Sequence, residues 1–117
     1  MSDFKKLTDQ IIKFREERNW TPFHNPKDCA LSLTLEAAEL LEHFQWKNGE
    51  QVEKYIKENK AEIADELIDV LWWVLMIASD LDIDIEKSFD RKIKKNAVKY
   101  PADKVRGKAD KYTAYNK

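Results

Sequence analysis

Three observations predict an all-α protein. Glycine and proline are scarce, at two and three in 117 residues, while 43% of the chain is apolar and 37% charged. That balance favours long helices over strands and tight turns. Apolar residues recur at intervals of three and four over much of the chain, as one face of a helix requires. Finally, from Leu67 to Ala78 every residue except Asp69 is apolar, so at helical pitch this run has no polar face to turn to water. A helix of that kind is expected to be buried on all sides, in a monomer core or in a dimer core. The length fits a single domain over residues 1–117, built as a four-helix-bundle-type subunit.

The first helix is predicted from about Ser2 to Arg18, where Phe4, Leu7, Ile11 and Phe14 share a face and Ser2 or Asp3 can cap the start. Asn19 to Asp28 follows as a loop, because its two prolines cannot sit inside a helix. Its aromatics do not belong in a solvated linker. Either Trp20 and Phe23 plug the end of a core and leave His24 in solvent, or the three wall a ligand pocket. Such a loop suits a planar base, since stacking tolerates any base and a nearby polar group adds selectivity.

A second helix is predicted from Pro26 or Lys27 to Trp46, stopped by Asn48-Gly49. Glu36, Glu39, Ser32 and His43 fall within about 60° of one another on it, with Leu33, Leu40 and Phe44 on one side and Leu31 and Leu35 on the other. No lysine or arginine occurs between Cys29 and Trp46. This is a narrow acidic groove between apolar flanks, unlike an ordinary solvated face. Glu50 to Asn59 reads as a short exposed helix anchored by Val52, Tyr55 and Ile56. The central helix runs from about Lys60 to Ser79 or Asp80. On it Glu62, Glu66, Asp69 and Trp73 occupy i, i+4, i+7 and i+11 positions and share one strip.

Beyond the turn DLDID, where aspartate is a natural N-cap, a fourth helix is predicted from Ile85 to Lys99. Ile85, Phe89, Ile93 and Val98 are expected on its inner side, and Tyr100-Pro101 ends it. Lys92, Asn96 and Lys99 lie on one face, offering two cations and an amide that both donates and accepts. The remaining stretch, about 102–117, is a basic tail, broken by Gly107. It is either flexible or able to close Lys104, Arg106, Lys108 and Lys111 over an anion.

Bulk charge narrows the function. Lysine and arginine (21) balance aspartate and glutamate (22), leaving a net charge of −1 and no global signal for a nucleic-acid polymer. The start lacks an apolar leader and no apolar run is long enough for a bilayer, so a cytoplasmic protein without a membrane partner is expected. Cys29 is the single cysteine and reads as a small buried hydrophobe.

Two apolar helices thus each carry a pair of carboxylates three residues apart, Glu36-x-x-Glu39 and Glu66-x-x-Asp69. Packed side by side, the four would converge, and crowded carboxylates must be neutralised by protons, basic partners or a metal ion. Hard oxygen ligands suit Mg²⁺ or Mn²⁺. Di-iron bundles instead use Glu-x-x-His, a spacing this chain lacks. His43, four residues after Glu39, fits a place beside the ligands or in solvent better than ligation. A cation site, a row of lysines and an aromatic loop together suit a nucleoside polyphosphate.

These residues also carry a resemblance. The paired acidic motifs resemble those of the MazG-like, all-α nucleoside triphosphate pyrophosphohydrolases. More closely, FREERNWTPFHNPKD, EAAELLEHFQW, DELIDVLWW and KKNAVKYPADK look like the dCTP pyrophosphatase branch, and the likeness runs from the first helix to Lys111–Thr113. The resemblance implies Mg²⁺ on Glu36, Glu39, Glu66 and Asp69; Glu62, which shares the face of Glu66 and Asp69 by helical spacing, is left over as a base or a site for another ion. It implies Trp20, Trp46 and Trp73 near base and sugar, with His24 in the same aromatic loop. Lys92 and Asn96, followed by Lys99 and Tyr100 in the KYP stretch and by Lys111 in the tail, would meet the phosphates or nucleoside. The implied reaction converts a nucleoside triphosphate, dCTP or a related dNTP, to monophosphate and pyrophosphate for nucleotide-pool cleaning, in a homodimer or a dimer of dimers. Other all-α pyrophosphatases, for dUTP or phosphoribosyl-ATP, and a helical module that binds nucleotide without cleaving it remain open.

Overall fold

The computed structural model describes residues 2–109 and 113, and among these every regular element is helical. Helix α1 spans Asp3–Glu17, α2 Pro26–Glu42, α3 Glu50–Glu58, α4 Lys60–Asp80, α5 Ile85–Lys99 and α6 Ala102–Val105, with a 3-10 turn at Thr21–Phe23. The starts are set by side chains that satisfy the first free backbone amides. Ser2 Oγ accepts from the Lys5 amide at 3.1 Å, and Asn25 Oδ1 from the Asp28 amide at 2.9 Å, with Pro26 at the first helical position. Asp84 Oδ1 accepts from the Lys87 amide at 3.0 Å.

One boundary departs from expectation. Helix α2 ends at Glu42 rather than Trp46. His43 and Phe44 donate to carbonyls three residues back, at 3.2 and 2.9 Å, and Trp46 takes a left-handed conformation with φ +69°. The apolar spacing continues through Phe44 and Trp46, which is why periodicity alone overran the end.

The chain divides into two compact units, one ending at Asp82 and the other beginning at Ile83. In the first, α4 is the axis: it packs most extensively on α2, then on α1, and more lightly on α3. The core consists of Ile11, Cys29, Leu75, Met76 and Ala78, so the C-terminal half of α4 is the buried half. The expected burial of α4 on all sides is not met within one chain. Leu67 and Ile68 are 51% and 54% exposed and Val74 is exposed as well. Three helices do not surround a fourth that is apolar all round, and Leu31 and Leu35 on α2 are uncovered for the same reason.

The second unit holds α5 and α6. Phe89, Ile93 and Val98 on α5, expected on an inner side, are exposed in the chain. Gly107 follows α6 with φ +77°, a conformation that glycine adopts without steric cost.

No helix among the described residues is long and apolar enough to cross a membrane. Cys29 is buried, as its composition suggested, and burial pushes its thiol pKa up.

Candidate active site

The carboxylates converge where α2 packs on α4. Glu36, Glu39 and Glu66 each offer an oxygen within 4.8 Å of the others. Glu36 and Glu66 are partly buried and Glu39 is exposed, so the cluster opens to solvent on the Glu39 side. Glu36 Oε2 and Glu66 Oε2 are buried without a hydrogen-bond partner. An unpaired buried carboxylate oxygen is costly, and two beside each other are more so. Burial, followed by the neighbouring Glu39, pushes the Glu36 pKa up to about 7. Glu66 is raised for the same leading reason, burial, followed by the charge of Glu39. In the absence of a cation Glu36 therefore keeps its proton to a higher pH than an isolated glutamate, and Glu66 is shifted in the same direction.

Asp69 lies outside this three-residue set and is exposed, but its charge raises both Glu36 and Glu66, which puts it beside them. Glu62, one turn before Glu66, is exposed and is likewise outside the set. The donor chemistry fits a hard divalent cation: oxygen ligands only, two of them orphaned inside the protein, and an open side where water or substrate can complete the coordination. Glu36, Glu39 and Glu66 could hold such an ion directly, with the Asp69 charge acting on the same cluster.

Next to this centre runs a series of aromatic contacts whose two ends are consecutive residues of α4. Trp72 meets Phe14 edge-on at 5.2 Å between centroids, Phe14 meets Trp20 at 5.9 Å, Trp20 meets His24 at 6.3 Å, and His24 meets Trp73 edge-on at 5.3 Å. Trp20 and His24 thus come together with Trp73. The alternative in which Trp20 and Phe23 plug a core is reversed: Phe23 is 71% exposed, and His24 packs inward. His24 Nδ1 is buried without a partner, and burial, then the nearby Arg15 cation, lowers the His24 pKa. Both effects favour the neutral imidazole. Phe14 and Trp72 also line a largely apolar groove of about 280 Å³ between α1 and α4, where Gln10 is the polar side chain beside Leu7, Ile11 and Ile68.

Trp46 is apart from this series. It projects from the turn after α2 and is 87% exposed. Lys92 and Asn96 lie one turn apart on α5, with Asn96 half-buried. Lys99 ends that helix and is half-buried, and Tyr100 follows with its amide donating to the Asn96 carbonyl at 2.8 Å. Lys111 falls outside the described residues.

Two features of the first unit escaped sequence reasoning. Arg15 is buried and binds Asp80 through two bonds of 2.9 Å, joining the end of α1 to the end of α4. The hydrogen bonds to Asp80 raise the Arg15 pKa. Nothing local pairs residues 65 apart, although an arginine on the apolar side of an amphipathic helix was a visible signal. The second is His43, whose Nδ1 shares a hydrogen bond of 2.6 Å with the Tyr55 hydroxyl. It is therefore packed against α3 rather than free in solvent.

An all-α unit with paired acidic motifs facing each other across two helices defines the class, and the MazG-like family model matches residues 31–114. The chain belongs to the MazG-like family. Among its relatives, dCTP pyrophosphatase 1 of Rattus norvegicus is 34% identical over 97% of this chain, and that of Homo sapiens 35%. The chain spans 66% of the length of these curated relatives. A crystal structure of a pyrophosphatase from Archaeoglobus fulgidus superposes with a TM-score of 0.81 at 34% identity, covering 86% of this chain and 94% of that one.

Proposed function

We propose that the chain is a divalent-cation-dependent pyrophosphohydrolase of deoxynucleoside triphosphates, with dCTP or a related dNTP as substrate. The observation that carries this reading is the cluster of Glu36, Glu39 and Glu66 with two orphaned buried oxygens, in a chain similar to dCTP pyrophosphatases. Glu36, Glu39, Glu66 and Asp69 would hold Mg²⁺, with Mn²⁺ as a substitute. The ion, when bound, neutralises phosphate charge and lowers the pKa of an attacking water.

The protein's own groups do the rest. Glu36 and Glu66 would present their carboxylate oxygens as acceptors. Glu62, exposed one turn from Glu66, would take the proton from water as it attacks. Attack at the α-phosphorus breaks the bond to the bridging oxygen, which leaves with pyrophosphate, and the nucleoside keeps one phosphate. Trp20, Trp73 and His24 would receive the nucleoside by stacking, with Trp46 covering it. Lys92, Asn96, Lys99 and Tyr100, with Lys111, are the proposed contacts of the phosphates and sugar.

The uncovered Leu31, Leu35, Leu67, Ile68 and Val74 support assembly as a homodimer or a dimer of dimers, since apolar residues grouped on packed helices are normally covered by a partner. In this reading the protein works in the cytoplasm as one domain, removing unwanted nucleotides from the pool.

The test is product release from each dNTP with Mg²⁺. Pyrophosphate and monophosphate are expected; orthophosphate as the first product would overturn the assignment of the cleaved bond.

A further inference from the structure

Trp46 combines two costs. A bulky residue at φ +69° is sterically disfavoured, and an indole left 87% exposed has little packing of its own to hold it there. A conformation of this kind persists only where its surroundings impose it. Here the two residues that bracket the turn seize the same side chain. His43, at the end of α2, shares a 2.6 Å hydrogen bond with the Tyr55 hydroxyl, and the two rings lie 5.7 Å apart. Lys47, immediately after Trp46, sets its ammonium 4.2 Å from the centroid of the Tyr55 ring, within cation–π range. Both residues and Tyr55 itself are half-buried. One tyrosine of α3 therefore pins the turn on both sides of Trp46 and leaves the indole pointing outward.

We propose that Tyr55 is a positioning residue for Trp46, holding the exposed indole in the orientation in which it meets the nucleoside. This rests on the reading above that Trp46 contacts substrate. Tyr55 need not touch the nucleotide; by fixing the turn beforehand it removes ordering that binding would otherwise have to impose. It also gives α3 a task beyond linking α2 to α4.

The experiment measures kcat and KM for dCTP with Mg²⁺ in Tyr55→Phe, Lys47→Met, Trp46→Ala and the double variant Tyr55→Phe/Trp46→Ala. Phenylalanine keeps the ring and removes only the hydroxyl, so the fold should survive. Loss of one hydrogen bond should raise KM roughly threefold to tenfold with kcat little changed. Lys47→Met should act in the same direction but more weakly. In the Trp46→Ala background, Tyr55→Phe should have no further effect on KM, because the residue through which it acts is gone. An equal rise in KM with or without Trp46 would overturn the proposal, as would a lower melting temperature with unchanged KM. If Trp46→Ala alone left KM unchanged, the substrate contact would be wrong and the positioning role would fall with it.

Discussion

The two ends of α4 treat a carboxylate in opposite ways. Near its start, Glu66 meets Glu36 and Glu39, and two oxygens of the group are buried with nothing to bind. At its last residue, Asp80 meets Arg15 in a two-bond ion pair with both carboxylate oxygens used. Both sites hold buried or half-buried charge on the same helix. At Asp80 the protein supplies the counter-charge itself and ties α1 to α4. At Glu66 none of the described residues supplies a counter-charge, which leaves a place for a cation from outside. Internal satisfaction marks a structural pair, and its absence marks a site built for a ligand.

Substitutions should separate the two ends, and the largest effect is expected at the unsatisfied one. Glu66→Gln should reduce turnover by about 10²-fold or more, since it removes a ligand that stabilises transition-state charge. Its melting temperature should be unchanged or higher, because repulsion among the glutamates is relieved. Near-full turnover would remove Glu66 from the ligand set, and a large loss of stability would erase the contrast.

Arg15→Ala should instead destabilise the fold by about 2–3 kcal/mol by leaving Asp80 half-buried and unpaired. Replacing both partners with Arg15→Met and Asp80→Leu should recover much of that loss, as paired apolar residues avoid the desolvation cost. Urea unfolding of the three proteins measures this directly. Equal stability of Arg15→Ala and the parent would show that the pair does not tie the helices.

Adding Mg²⁺ should raise the melting temperature of the parent and not that of Glu66→Gln, as binding to the native state alone stabilises it. Chelation should abolish activity in the parent while leaving the helical circular dichroism intact. Collapse of the helical signal on chelation would make the cluster structural after all.

The smallest effect is in the pH dependence of the metal-free protein. The Glu36 pKa lies at about 7 in the folded chain, above the ordinary 4.5. The folded state then binds more protons than the unfolded one between these values. The contribution to stability is present below about pH 4.5 and is lost as pH rises through 7. Over the same interval Mg²⁺ affinity should rise, because the ion displaces those protons. Differential scanning fluorimetry with and without Mg²⁺ should show both trends. A metal-free melting temperature that increased across this range would contradict the burial of Glu36.

Much of this was legible from the chain itself. Scarcity of glycine and proline, spacing of apolar residues and the capping types at Ser2 and Asp84 are local properties, and they placed α1, α3, α4 and α5 close to their observed limits. The Glu36-x-x-Glu39 and Glu66-x-x-Asp69 pairs were also readable, because an acidic strip on an apolar helix violates ordinary patterning. Helical spacing puts such carboxylates on one face before any tertiary contact forms.

Tertiary structure decided the rest, for reasons of distance and of cover. Spacing along one helix says nothing about which neighbour faces it, so the pairing of Arg15 with Asp80 and of His43 with Tyr55 needed the packed helices. It also separated the carboxylates: Glu36, Glu39 and Glu66 converge, while Asp69 stands beside them and Glu62 outside. The all-round apolarity of α4 was visible in its residues, but whether that surface is covered depends on what surrounds it. A single chain buries Leu75, Met76 and Ala78 and leaves Leu67 and Ile68 exposed, because its helices close around only one half of α4.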